Sequence, residues 1–160
     1  MEGLQRRPHD PSLRVAYARL LARRGKLDEA EAALVDLQQQ WPGDEVAARA
    51  LGGIRAARIL KDEGNGHYQR GEHERAAASY TEALQVDPEK CMAPILLGNR
   101  AQARLAANRP QEATADCDAA IQMDAENVKL RLRRAACHVA LKHPEKVLPP
   151  LRPLMAADGR

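Results

Sequence analysis

Aromatic side chains are scarce in this chain: among 160 residues there are one Trp, three Tyr and no Phe. A core must therefore come from Leu, Ala, Val and Ile, which suits closely apposed helices better than a sheet. Few rings are left to stack on bases, and a net charge of +3 is too small to make nucleic acid the default partner. No apolar run approaches the roughly 18 to 20 residues that span a bilayer, and no amino-terminal stretch reads as a secretion signal. Three cysteines, an odd number, argue for reduced thiols and a cytoplasmic setting, with the nucleus as a further location. The usual marks of catalysis are missing too. There is no glycine-rich phosphate loop, and no cofactor is expected. Glu63 and His67 lie four apart and Glu72 adjoins His73, but no third ligand follows at a metal-site spacing. Cys117 and Cys137 fall at phases that bury them between helices, as packed thiols rather than nucleophiles. Cys91, in an insertion, is expected at the surface. These features point to a binding module rather than an enzyme.

What the chain does have is a repeat. Gly64, Gly71, Ala76, Tyr80, Ala83 and Pro88 recur 37 residues later as Ala101, Asn108, Ala113, Cys117, Ala120 and Ala125. A further shift of 34 reaches Ala135, Lys142, Val147, Leu151 and Leu154, and a backward shift of 46 reaches Ala18, Gly25, Ala30, Leu34, Leu37 and Pro42. A period of 34, with insertions of three and of twelve, marks the tetratricopeptide repeat, a helix-turn-helix unit that stacks on its neighbours. The expectation is an all-α solenoid of about seven to eight helices around one continuous core. Small residues let paired helices approach closely, and bulky ones fill the gaps between them.

Residues 1–10 read as a loose lead-in and 11–44 as a first repeat. Ser12 caps its first helix, whose apolar set is Leu13, Ala16, Tyr17, Leu20 and Leu21. Arg19 and Arg23 read as a solvated face, with extension of a basic groove as the other reading. Residues 45–56 form a linking helix, expected to run on from about Glu45 into the next repeat despite Gly52-Gly53, which costs roughly 1 kcal/mol per residue against Ala. Residues 57–160 then carry three repeats. Close packing explains Gly64, while the pattern offers no reason for Gly66. Pro94 and Pro110 open helices, and Pro144, Pro149, Pro150 and Pro153 make the last helix irregular.

Two helical patches carry paired polar residues four apart, Lys61 with Asn65 and Lys129 with Arg133, so each pair leaves one helix face. Lys129 and Arg133 are like charges at the start of a helix, where anions are favoured over cations. Such a patch is eased by an acidic partner. The stretches Leu60-Lys61-Asp62-Glu63-Gly64-Asn65, Gly98-Asn99-Arg100-Ala101 and Val128-Lys129-Leu130-Arg131-Leu132-Arg133-Arg134-Ala135 resemble the carboxylate clamp of tetratricopeptide co-chaperones. The two insertions resemble those around the second repeat block of the two-block J-domain (DnaJ-type) co-chaperones, although the J domain's His-Pro-Asp triplet is absent and His9-Asp10-Pro11 does not supply it.

The resemblance implies an adaptor for the C-terminal Glu-Glu-Val-Asp tails of the Hsp70 and Hsp90 chaperones. Lys61, Asn65, Asn99 and Lys129 would hold the terminal carboxylates, and Arg133 the peptide further up. Tyr68 and Leu132 stand near the clamp on the helix wheel, as contacts for the apolar side chain before the terminal Asp or as core. Two other readings stay open. One is a scaffold that binds another protein segment in its groove without recognising a terminal carboxylate. The other is attachment to RNA or an anionic surface through Arg131, Arg133 and Arg134.

Overall fold

The computed structural model describes residues 10–142, and in them the chain forms seven helices. These are α1 (Pro11–Arg23), α2 (Leu27–Gln40), α3 (Glu45–Gln69), α4 (His73–Gln85), α5 (Ala93–Ala106), α6 (Pro110–Met123) and α7 (Val128–Ala140). The helices pack as sequential hairpins, α1 on α2, α3 on α4 and α5 on α6, with α7 laid against α6 and α5. The all-α repeat solenoid expected from the period is the fold observed. The expected irregularity around Pro144 to Pro153 lies outside the described residues.

Local chemistry explains the helix ends. Asp44 caps α3, its Oδ1 accepting the Ala47 N–H at 2.8 Å, and Asn127 caps α7 by accepting the Leu130 N–H. Gly25 and Gly71 take left-handed φ values of 80° and 78° in the turns after α1 and α3, conformations that suit a residue without a Cβ. Asp10 caps α1 through the Ser12 N–H, with Pro11 opening the helix, so the cap expected at Ser12 sits two residues earlier.

The first helix also turns a different face inward. Val15, Ala18, Leu21 and Ala22 are its buried residues, whereas Leu13 and Tyr17 are 62% and 57% exposed and Leu20 is exposed as well. Two apolar stripes overlap on this helix, and the one with Ala18 and Ala22 permits the closer approach to α2 and α3. Cys91 is likewise buried rather than exposed. The Asp87 carboxylate accepts the Met92 N–H at 2.7 Å, which folds the inter-repeat insertion inward and buries both Cys91 and Met92.

Helix α3 runs unbroken through Gly52-Gly53 for 25 residues. It carries the chain from the first hairpin, where Ala47, Ala50 and Leu51 are buried, to the second, where Gly64 is buried. A Cβ built on Gly53 would stand 3.3 Å from the Val86 carbonyl and the Asp87 carboxylate, so that glycine admits the end of α4.

The core is less continuous than expected. One large cluster runs from α1 through α4 into α5, and two smaller ones fill the spaces among α5, α6 and α7, with half-buried Leu84 touching both the large cluster and one small one. Between α5 and α6, Asp116 is only 5% exposed at its side chain and pairs with Arg100 (2.6 Å) and Arg104 (2.7 Å). A carboxylate so placed is tolerable only because two guanidinium groups replace its water.

Candidate functional site

The polar residues singled out by the sequence lie on α3, α5 and α7. Three adjoining cavities connect them. The first, of about 230 Å³, is lined by Asn65, Tyr68 and Gln69 of α3, Tyr80 of α4, and Asn99 and Gln102 of α5. The second, of about 360 Å³, lies between α5 and α7, with Gln102 and Leu105 on one side and Lys129, Leu132 and Arg133 on the other. A third, of about 270 Å³, shares Asn99, Lys129 and Arg133 and reaches the end of α1. Shared walls make the three a continuous groove, and among the described residues no Asp or Glu lines any part of it. Donors and cations facing a groove with no acceptor of opposite charge form a site for an anion.

Asn65 is held by a residue whose role the repeat pattern did not reveal. The Tyr80 hydroxyl donates to Asn65 Oδ1 at 2.7 Å. With its oxygen so occupied, the Asn65 amide group presents its N–H donors elsewhere. Burial pushes the Tyr80 phenol up to about 12, so the hydroxyl remains a donor throughout the neutral range. Gly64, one residue before Asn65, lets the ring reach it: a Cβ there would lie 2.7 Å from Tyr80 Cε1. Tyr80 showed in the sequence only as a bulky repeat position, and nothing local marked it as a partner of Asn65.

Arg133 depends on a glycine in the same way. A Cβ on Gly98 would stand 2.8 Å from an Arg133 guanidinium nitrogen and 2.7 Å from Leu130 Cδ2. Gly98 therefore clears the space in which Arg133 lies against α5, next to Asn99. At Gly66, unexplained by the repeat, a Cβ would stand 3.3 Å from an Arg70 guanidinium nitrogen.

The structure thus brings Asn65, Asn99, Lys129, Arg133, Tyr68 and Leu132 to one groove. Lys61 lines none of its three parts. It lies one turn before Asn65, half-buried, with its ammonium 2.8 Å from the Asp62 carboxylate. Leu132 is 65% exposed and is not core. Tyr68 rests against the edge of the core while its hydroxyl accepts from Gln102 Nε2 at 3.2 Å. The solvated-face reading of Arg19 and Arg23 does not hold. Arg19 pairs with Glu89, and Arg23 lines the groove with its Nε buried.

Two further perturbed groups, Glu72 and Cys117, have structural partners. Glu72 is held below the usual carboxylate range by its hydrogen bond to His67, with Arg70 and Arg75 adding to the effect. Cys117 and Cys137 are buried free thiols, as their phases implied, and hydrogen bonding to Cys137 together with burial pushes Cys117 up. Among the described residues no helix is long and apolar enough to cross a membrane.

Comparison with known proteins agrees with the architecture. Two family models, both described as tetratricopeptide repeat, match residues 2–54 and 57–90. A DnaJ homolog subfamily C member 7 homolog of Dictyostelium discoideum is 38% identical over 91 residues, 56% of this chain and 17% of that protein. Human sperm-associated antigen 1 is 31% identical over 137 residues, 79% of this chain and 14% of that protein. The chain thus spans less than a fifth of either relative. Among solved structures, the first TPR of Spaghetti (RPAP3) bound to the HSP90 peptide SRMEEVD superposes with a TM-score of 0.54 at 30% identity, over 58% of this chain and 71% of that one. The 34-residue period, the stacked helical hairpins and these matches together place the chain in the tetratricopeptide-repeat family.

Proposed function

We propose that this chain is a co-chaperone adaptor module whose groove binds the free C-terminal Glu-Glu-Val-Asp tail of Hsp70 or Hsp90 chaperones. The observation that carries this reading is the convergence of Asn65, Asn99, Lys129 and Arg133 on one groove that, among the described residues, no acidic side chain lines. The similar RPAP3 domain, whose solved complex holds an HSP90 peptide, supports it, as does the similarity to a DnaJ homolog. In this reading the chain is an adaptor rather than an enzyme, works where thiols stay reduced, and uses residues 57–160 as the clamp-bearing part.

A peptide terminus ending in Asp carries two carboxylates within a few ångströms, both acceptors that want several donors. Asn65, Asn99 and Lys129 hold them, joined by Lys61 once its ammonium leaves Asp62 for the stronger field of the two carboxylates. Arg133 engages the chain further up, and the apolar side chain before the terminal Asp lies against Tyr68 or Leu132. Four or five charge-assisted hydrogen bonds at about 1.5 to 3 kcal/mol give roughly 6 to 15 kcal/mol gross. Association and ordering cost about 4 kcal/mol or more, which leaves affinity in the micromolar range.

The test is calorimetric titration with a peptide ending in Ile-Glu-Glu-Val-Asp, as free acid and as amide, against the intact chain and its Lys129→Ala variant. Micromolar binding by the free acid, lost on amidation and in the variant, is the expected result. Equal binding of both forms would refute terminal-carboxylate recognition and leave a groove that binds internal segments.

A further inference from the structure

The clamp residues account for only part of the groove. Its third cavity is closed on one side by the end of α1, where Arg23 and Arg24 face Lys129 and Arg133. None of these four side chains forms an ion pair among the described residues, and Arg23 Nε is buried without a hydrogen-bond partner. Four cations around about 270 Å³ with no acidic neighbour in its walls repel one another, and an anion between them would relieve that repulsion.

The two arginines are carried by a braced element. Arg19, on the same helix, pairs with Glu89, which also takes Arg49 of α3 at 3.3 Å. The left-handed turn at Gly25 sets the end of α1 close to α5, where Ile95 Cδ1 would be 3.9 Å from a Cβ at residue 25. The first hairpin is therefore fixed over the groove and contributes charge to it.

We infer that Arg23 and Arg24 form, with Lys129 and Arg133, a second anion subsite that takes acidic side chains of the bound peptide upstream of its terminal carboxylate. The inference rests on the clamp reading, since Lys129 and Arg133 are shared. Neighbouring helices pack about 8 to 10 Å apart and an extended chain advances about 3.3 Å per residue, so the recognised side chains lie about three or more residues from the clamped end. The first hairpin thereby sets which acidic tails are preferred, by the charge of the residues that begin about three positions before the clamped end.

The experiment uses two peptides that share a free-acid Val-Asp end and differ at the four preceding positions, all Asp in one and all Ser in the other. Both are titrated against the intact chain, its R23A/R24A variant, and an R55A/R75A variant that loses two exposed charges away from the groove. Circular dichroism checks that each variant is folded. The Asp peptide should bind the intact chain about two- to thirtyfold more tightly than the Ser peptide, the yield of two partly exposed charge pairs. That advantage should vanish in R23A/R24A, persist in R55A/R75A, and leave the Ser peptide's affinity within about twofold throughout. Two amidation-sensitive peptides that bind equally well refute the subsite while the clamp stands. An advantage lost to the same extent in R55A/R75A also refutes it, because general charge attraction then explains the preference. If neither peptide binds the intact chain, the clamp reading fails and the subsite with it.

Discussion

Gly64 and Gly52 lie in the interior of one helix, so the same substitution at the two positions separates helix propensity from packing. Replacing Gly by Ala in a helix gains about 1 kcal/mol when nothing else changes. At Gly52 a new Cβ meets nothing within 4 Å, and Gly52→Ala should be stabilising by about that amount. At Gly64 the Cβ would lie 2.7, 3.0 and 3.1 Å from three atoms of the Tyr80 ring, well inside the roughly 3.5 to 4.0 Å of a comfortable carbon contact. The ring is buried and cannot rotate away freely. Overpacking of this kind costs about 1 to 3 kcal/mol, and displacing the ring from Asn65 forfeits a hydrogen bond of about 0.5 to 1.5 kcal/mol. Set against the gain of about 1 kcal/mol, Gly64→Ala should lose about 0.5 to 3.5 kcal/mol. Urea unfolding followed by circular dichroism measures both variants, and for a chain this long each kcal/mol moves the melting temperature by about 2 to 4 °C. A Gly64→Ala protein as stable as Gly52→Ala would show that the α3–α4 approach does not require glycine and that Tyr80 is not wedged against it.

Three further outcomes concern the hydrogen bond to Asn65, the buried carboxylate and the buried acids. Tyr80→Phe keeps the ring and removes the donor to Asn65, so it should cost no more than about 1.5 kcal/mol of stability while weakening tail-peptide binding several-fold; unchanged affinity by calorimetry would mean that Asn65 needs no such anchor. Asp116→Ala leaves Arg100 and Arg104 half-buried without their carboxylate and should destabilise by about 3 to 5 kcal/mol in chemical denaturation, a loss much larger than that of the exposed Asp36→Ala. Burial raises the Cys91 thiol from 9.0 to about 12 and the Tyr80 phenol from 10.0 to about 12. The unfolded chain therefore sheds these protons first, and the stability they contribute is whole below about pH 9 and is lost as pH rises toward 12. Thermal melts across that window should fall, less steeply for Cys91→Ala than for the parent, and parallel slopes would exclude the thiol as a source.

Much of the site could be read from residue spacing because its parts are local. Lys129 and Arg133 are one turn apart on a single helix, and so are Lys61 and Asn65, so helical geometry alone places each pair on a face. The repeat phase then extends that logic to Asn99. What escaped the pattern are contacts between helices. Tyr80 reaches Asn65 from α4, and Gly98 admits Arg133 from α7; each pairing depends on which helices become neighbours and how closely they approach. The buried face of α1 escaped for a related reason, since Leu13, Tyr17 and Leu20 form as good a helical stripe as Val15, Ala18, Leu21 and Ala22.

The 34-residue period, the small residues at fixed phases and the scarcity of aromatics were enough to determine stacked helical hairpins, because period and volume are properties of the chain itself. Tertiary structure alone decided which stripe of α1 turns inward, that the insertion at Cys91 folds into the core, and that Arg23 and Arg24 stand over the groove. Each of these follows from a balance of charge and packing among residues that no repeat position links: Asp87 with Met92, Arg19 with Glu89, Gly25 with Ile95. Such pairs have no period to announce them, since their proximity exists only once the chain has folded and the hairpins have stacked.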